Sequence, residues 1–318
     1  MLYSLIKIPA KFAFWIYCRR LSMNNKLLLQ SEGPLLIAAN HPNSFLDAII
    51  LATLFRRPIY SLTRGDAFTN NLYSKLLKSL NMLPVYRISE GSENLEHNYT
   101  TFKQCEGIFA KKGIVLIFSE GRCINEWHLR PLKKGTARLA ISAWQNGIPL
   151  KVLPTGINYN SFYSFGKNIQ LNFGELITEK DINTSEPFGK QVIDFNEKLR
   201  SRLQQQVVDI DKKNEAAIKE RFIVPQHELK KILLFMPAIL GWLFHAPLYY
   251  PIKRFAWKNV AHNDHYDSMV VGLLFILYPV YMLLVSLLAG WFFGWYAMFV
   301  FIVLPFCAWS FTQVKKQF

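Results

Sequence analysis

The sequence predicts an α/β domain, a mostly parallel mixed sheet flanked by helices, with an N-terminal interfacial helix and a C-terminal transmembrane hairpin. Three observations lead there. From about 33 to 177, short apolar runs alternate with helix-like segments, the order that builds parallel sheets. Residues 269–290 and 291–311 carry no charged side chain, and 22 residues of helix at 1.5 Å each span about 33 Å, the thickness of a bilayer core. Residues 1–21 mix Leu, Ile, Phe and Trp with Lys7, Lys11, Arg19 and Arg20, which suits a helix lying in a membrane interface and equally one packed on the domain. The lysines interrupt the apolar run and no small-residue cleavage site follows, so this is not read as a signal peptide.

The elements follow in order. "PLLIAAN" (34–40) reads as a strand and "FLDAIILATLF" (45–55) as a helix. "PIYSLTR" (58–64) and "NMLPVYR" (81–87) read as strands, with the helix "NNLYSKLLKSL" (70–80) between them. "GIVLIFSEG" (113–121) is a buried strand ending in a glycine turn. "KGTARLAISAWQNG" (134–147) is a helix stopped at Gly147. "PLKVLPTGINY" (149–159) and "IQLNFGELI" (169–177) complete the strands. The charged stretch 178–231 holds a peripheral helix and a linker. "ILLFMPAILGWLFHAPLYYPI" (232–252) is apolar but carries three prolines, which suits a re-entrant or interfacial segment. The expected organisation is a membrane-associated segment over 1–32, the α/β domain over 33–210, a linker with an interfacial segment over 211–268, and the hairpin over 269–312.

The chain has 318 residues and a formal net charge of +15, with 51% hydrophobic and 15% aromatic residues. Basic charge joined to apolar bulk favours an anionic membrane over nucleic acid. The aromatic signature of RNA binders and the Cys/His spacing of zinc fingers are both absent. Cys18, Cys105, Cys123 and Cys307 are scattered, which argues against a disulfide framework or a zinc site and fits reduced thiols facing the cytoplasm. Lys and Arg flank the apolar pair on both outer sides and are missing from its link. The positive-inside rule therefore places the α/β domain on the cytoplasmic face of the cell membrane.

Four stretches carry candidate chemistry. In "NHPNSFLD", Pro42 keeps His41 out of a helix, and Ser44 with Asp47 has capping-box spacing for the helix that follows. A strand-end His and a helix-start Asp can then meet across the loop as a general base and its orienter. The same spacing fits an N-capped turn with a neutral surface His. "NMLPVYR" delivers Arg87 to a strand end, where a guanidinium can grip a phosphate or simply be solvated. "IVLIFSEGRC" presents Glu120, Gly121 and Arg122 after five apolar residues. Arg130, Lys133 and Lys134 then lead into a helix N-terminus, and both features favour an anion. Glu120 could bind substrate hydroxyls or hold Arg122. In "VLPTGINY", Pro154 breaks the strand and Gly156 permits close backbone approach.

Taken in order, these blocks resemble the glycerolipid acyltransferases of the 1-acylglycerol-3-phosphate and glycerol-3-phosphate type. Their first block is Asn-His followed by Asp, here Asn40, His41 and Asp47. The second is G-x-x-P-V-x-R, here "NMLPVYR". The third is F-P-E-G-T-R-S followed by P-F-K-K-G, here "FSEGRCI" and "PLKKG". The fourth is a strand with an internal proline. The resemblance covers roughly 33–177. It implies transfer of a fatty acyl group from acyl-CoA or acyl carrier protein to a glycerol hydroxyl, with lysophosphatidic acid as the acceptor put first. His41 would be the base and Asp47 its orienter, Arg87 would bind the acceptor phosphate, and Glu120, Gly121, Arg122 and Lys133 would shape the acceptor site. No metal, redox cofactor or covalent acyl-enzyme is implied. The chain departs from the pattern at Asn81, Ser119 and Cys123. It has five residues between His41 and Asp47 where four are usual, a form met in some glycerol-3-phosphate acyltransferases as H-x-N-x-F-x-D. Those departures leave glycerol 3-phosphate and lyso-aminolipids open as acceptors.

Three other classes compete. A non-catalytic lipid-binding protein would keep the fold without needing both His41 and Asp47. A metal-dependent hydrolase would use His262, Asp264, His265 and Asp267 of "AHNDHYDS", which otherwise reads as a polar loop beside the membrane. A serine hydrolase would need the G-x-S-x-G turn, which does not occur.

Overall fold

The computed structural model describes residues 2–68, 70–86, 97–260 and 263–318. The chain opens with helix α1 (Leu2–Tyr17) and passes directly into strand β1 (Cys18–Met23). Strands β2 (Leu35–Ala39), β3 (Ile59–Arg64), β4 (Met82–Val85), β5 (Ile114–Phe118), β6 (Lys151–Tyr159) and β7 (Lys167–Phe173) complete one sheet in the order β1-β7-β6-β2-β5-β3-β4. Every neighbouring pair is parallel except β6 with β7. The successive strands β2 to β6 are joined through α2 (Phe45–Leu54), α3 (Asn71–Ser79), α4 (His97–Ala110) and α5 (Gly135–Gln145), as crossover connections in a parallel sheet require.

Burial on both faces explains the near-continuous apolar reading of the central strands. Leu36 and Ala38 of β2 face Val115, Leu139 and Trp144, together with Phe195, Leu199 and Leu203 from α6 (Phe188–Gln204). Leu35, Ile37 and Ala39 face Ile50, Leu51 and Tyr159, with Phe222 from α7 (Glu215–Phe222).

Three expectations change. Residues 18–23, read as part of a membrane-associated segment, form β1 against β7, paired from Cys18↔Lys167 to Met23↔Leu171. Half of this edge strand is polar, so it lacks the apolar run that marks the central strands. Pro154 does not break its strand. β6 runs through it, because the antiparallel ladder with β7 begins only at Thr155, while Gly174 N–H uses the Pro154 carbonyl. Gly156 does give close approach, since a Cβ there would lie 2.3 Å from the Gln206 carbonyl oxygen.

The third change concerns the C-terminal segment. Residues 228–260 form one helix, α8 (Glu228–Val260), which accommodates Pro237, Pro247 and Pro251. It is followed by α9 (Tyr266–Phe293), a 3-10 turn (Gly294–Phe299) and α10 (Val300–Val314). Among the described residues, the helices over Glu228–Val260 and Tyr266–Val314 are long and apolar enough to cross a membrane. Their ends differ in position. Val224, just before α8, donates to Gln317, while Trp257 near its other end packs on Tyr163 of the β6–β7 loop. Gln317 also accepts from Asn168 of β7, so both ends of α8 lie near the sheet domain. The middle of α8 packs into the other two helices, with Gly241 against the Cys307 backbone and His245 Nε2 3.0 Å from the Tyr278 hydroxyl.

Candidate active site

The carboxyl edges of β2 and β5 are adjacent, and the residues beyond them form the site. Asn40 follows β2 and clips its carboxamide onto β6. Its Nδ2 donates to the Ile157 carbonyl at 3.1 Å, and its Oδ1 accepts from the Ile157 N–H at 2.7 Å. The chain then turns out through His41. The His41 N–H donates to Glu120 Oε2 at 2.9 Å, its carbonyl accepts from Ile124 N–H at 3.2 Å, and its ring stacks on Phe118 at 3.8 Å between centroids. The imidazole is therefore fixed by backbone and ring contacts before Asp47 is considered.

Asp47 lies in the first turn of α2 and is fully buried. Its Oδ2 accepts from His41 Nδ1 at 2.9 Å and from the Asn43 N–H at 2.8 Å, and its Oδ1 accepts from the Tyr159 hydroxyl at 2.6 Å. Because a carboxylate can only accept, Nδ1 carries the proton in the neutral imidazole and Nε2 keeps its lone pair. The His41 side chain retains 16% exposure, whereas Asp47 has none. Burial, and then the Asp47 charge, hold the Tyr159 phenol well above its ordinary range, so it remains a donor.

The capping box does not form. Ser44 occupies the N-cap position but makes no side-chain cap, and its hydroxyl lies 2.6 Å from His265 Nδ1. Asp47 turns instead to His41 and the Asn43 N–H.

Glu120 is buried, and both oxygens are engaged by backbone: Oε2 by His41 N–H and Oε1 by Arg130 N–H at 2.9 Å. Among the described residues its oxygens are held by these backbone donors and not by Arg122; the third block therefore braces the His41 turn and the basic loop together. Burial raises the Glu120 pKa, opposed by those two N–H donors and by the charges of His41 and Arg130. Gly121 has φ +68°, and a Cβ there would come 2.9 Å from Lys133 Cγ. The Lys133 stem thus crosses the glycine turn, while the exposed Arg122 follows it. Arg87 lies outside the described residues, as does His262.

The structure brings His41, Asp47, Glu120, Gly121, Arg122 and Lys133 to one edge of the sheet. Sequence reasoning missed Tyr159, the last residue of the fourth block, and Asn43, between the proposed base and its orienter. It also missed the contact between this edge and residues 264–268. Asp264, His265 and Asp267 were read as possible metal ligands or a plain loop. Among the described residues no group of His, Cys, Asp or Glu is arranged to hold a metal ion.

A buried Asp bonded to a partly exposed His at the carboxyl edge of a parallel sheet is an arrangement in which a histidine can act as a base on a bound hydroxyl or water. The Acyltransferase family model matches residues 20–158, the stretch that holds both members of this pair. The chain is also similar to the crystal structure of the 1-acyl-sn-glycerophosphate (LPA) acyltransferase from Thermotoga maritima. The identity is 12% and the TM-score 0.45, over 70% of this chain and 82% of that one. No curated protein matches the sequence.

Proposed function

We propose that this chain is a membrane-bound O-acyltransferase that moves a fatty acyl group from acyl-CoA or acyl carrier protein to the hydroxyl of lysophosphatidic acid. The observation that carries the reading is the His41–Asp47 pair: Asp47 holds Nδ1 at 2.9 Å and leaves Nε2 for the acceptor hydroxyl. In this mechanism Nε2 takes the hydroxyl proton as the oxygen attacks the thioester carbonyl. The tetrahedral intermediate collapses by breaking the C–S bond, and the leaving thiolate recovers the proton from His41. Asp47 stabilises the imidazolium formed on the way. Arg87 binds the acceptor phosphate, Glu120, Gly121 and Arg122 help shape the acceptor site, and Lys133 adds positive charge. No metal or redox cofactor takes part.

The membrane supplies the acceptor. The Tyr266 end of α9 adjoins the site through His265 and Ser44. The other end carries exposed Trp291, Trp295 and Tyr296, residue types that favour a membrane–water interface. The exposed Leu5, Ile8 and Phe12 of α1 continue the apolar surface on the near side, where Trp15 stacks on Trp309 of α10. With both ends at the sheet domain, α8 lies in the interface, α9 and α10 cross as a hairpin, and the sheet domain sits on the cytoplasmic face of the cell membrane.

The test is acyl transfer by the purified full chain in detergent. Labelled acyl-CoA and acyl carrier protein are each offered with lysophosphatidic acid, glycerol 3-phosphate and lyso-aminolipids. Product from lysophosphatidic acid is expected. Product from another acceptor alone would reassign the substrate and keep the reaction, and no product from any would remove the reading.

A further inference from the structure

The turn between α8 and α9 reaches into the site from outside the stretch matched as an acyltransferase. Four of its residues bond to the loops that carry the proposed chemistry. Asp264 Oδ1 accepts from Asn125 N–H at 2.9 Å, and its carbonyl lies 3.7 Å from Cys123 Sγ. His265 meets Ser44, and the Ser268 hydroxyl donates to the Asn43 carbonyl at 3.3 Å. Asp267 Oδ2 accepts from Asn43 Nδ2 at 3.0 Å, from the Tyr17 hydroxyl at 3.2 Å and from Lys167 Nζ at 2.5 Å.

Asp267 is therefore a junction. Its carboxylate joins the end of α1, the first residue of β7 and the residue two after His41. The Lys167–Asp267 pair is almost wholly buried, at 0% and 5% side-chain exposure. A buried ion pair is weak support for stability in itself, because desolvation offsets the attraction, so bulk stability does not account for its place here. Asn43 gives the better account. Among the described residues the buried Asn43 Oδ1 has no hydrogen-bond partner, so the Nδ2 bond to Asp267 is what sets the carboxamide. The Asn43 N–H is in turn one of the donors that hold Asp47 Oδ2.

We propose that Asp267 is a positioning residue for the His41–Asp47 pair, acting through Asn43, so that the membrane hairpin completes the active site rather than only tethering it. Lys167 Nζ lies against the carboxylate in the buried junction, and the first turn of α9 favours a negative charge at that point. Acting on turnover rests on the acyl-transfer reading, but the control of the 40–47 loop does not.

The experiment compares two double variants of the full chain, neither of which leaves an unpaired buried charge. Lys167→Met with Asp267→Ala removes the acceptor for Asn43, whereas Lys167→Met with Asp267→Asn restores an acceptor oxygen. Hydrogen exchange of the 40–47 peptide is read beside the 114–118 peptide of β5, together with kcat and KM. The Ala form is expected to exchange faster over 40–47 alone and to lose about tenfold in kcat, the scale of one hydrogen bond, with KM little changed. The Asn form is expected to recover both. Equal exchange over 40–47 in the two forms would overturn the proposal, whatever their turnover. If the wild-type chain transfers no acyl group, the function proposal fails while the exchange comparison still decides this one. Should neither double variant fold, Asn43→Leu breaks the same bond with the ion pair intact. Unchanged exchange of the rest of that loop would then be the contradicting result.

Discussion

Asp47 receives three hydrogen bonds, from His41 Nδ1, the Asn43 N–H and the Tyr159 hydroxyl. Two of them fix its orientation without touching substrate. Tyr159→Phe leaves Oδ1 with an unmet buried acceptor position, and should lower folding stability by about 1.5–3 kcal/mol, as for a hydrogen bond to a charged group. Thermal unfolding in detergent checks this. Glu120 gives a prediction with a sign. Its folded pKa is raised above the ordinary 4.5 by burial, so the folded state holds its proton more tightly than the unfolded chain. The stabilising contribution is complete below 4.5 and is lost as pH rises through the raised value. Glu120→Gln removes that titration, so the wild-type Tm should fall relative to the variant across this window. The His–Asp pair was legible because a proline and a helix start bracket it. Tyr159 was not, because its role depends on β6 lying beside β2, and nothing in its own neighbourhood marks it.

At the scale of elements, the central strands were readable because two-sided burial writes them as apolar runs. β1 was hidden, since an edge strand needs no such run and its basic residues resemble the flank of a membrane helix. Arg19 shows what those charges do: Nε and an Nη of its guanidinium donate to the carbonyls of Thr312 and Lys315 at the end of α10, at 2.8 and 2.7 Å. A cation there also meets the negative end of the helix dipole. The capping box failed for a related reason, because tertiary partners outcompeted a local one: His265 took the Ser44 hydroxyl and His41 took Asp47. β6 is held to the turn after α6 by the bare backbone of Gly156, where a methyl group would meet the Gln206 carbonyl at 2.3 Å. Gly156→Ala should therefore lower stability by about 1–3 kcal/mol, the usual effect of overpacking, seen as a lower Tm.

For the whole molecule, the sheet domain and the long apolar helix α9 meet around residues 264–268. α9, at 28 residues, would extend about 42 Å, longer than a bilayer core of about 30 Å. The hairpin reading predicts opposite accessibility at its two ends. In intact cells, a cysteine placed at Phe293 should react with an impermeant thiol reagent, and one placed at Lys212 only after lysis. Reaction of both in intact cells would place the sheet domain outside. The hairpin's contribution to the site could not be read from sequence, because Asn43 and Asp267 are 224 positions apart. The role of His41 as the base in acyl transfer has one direct test. Turnover of labelled acyl-CoA with lysophosphatidic acid is measured for wild type and His41→Ala, both shown to be folded by equal exchange protection in β5. A loss of about 10²–10⁴-fold in kcat is predicted for the variant, the usual contribution of a general base. Undiminished turnover in folded His41→Ala would contradict the account.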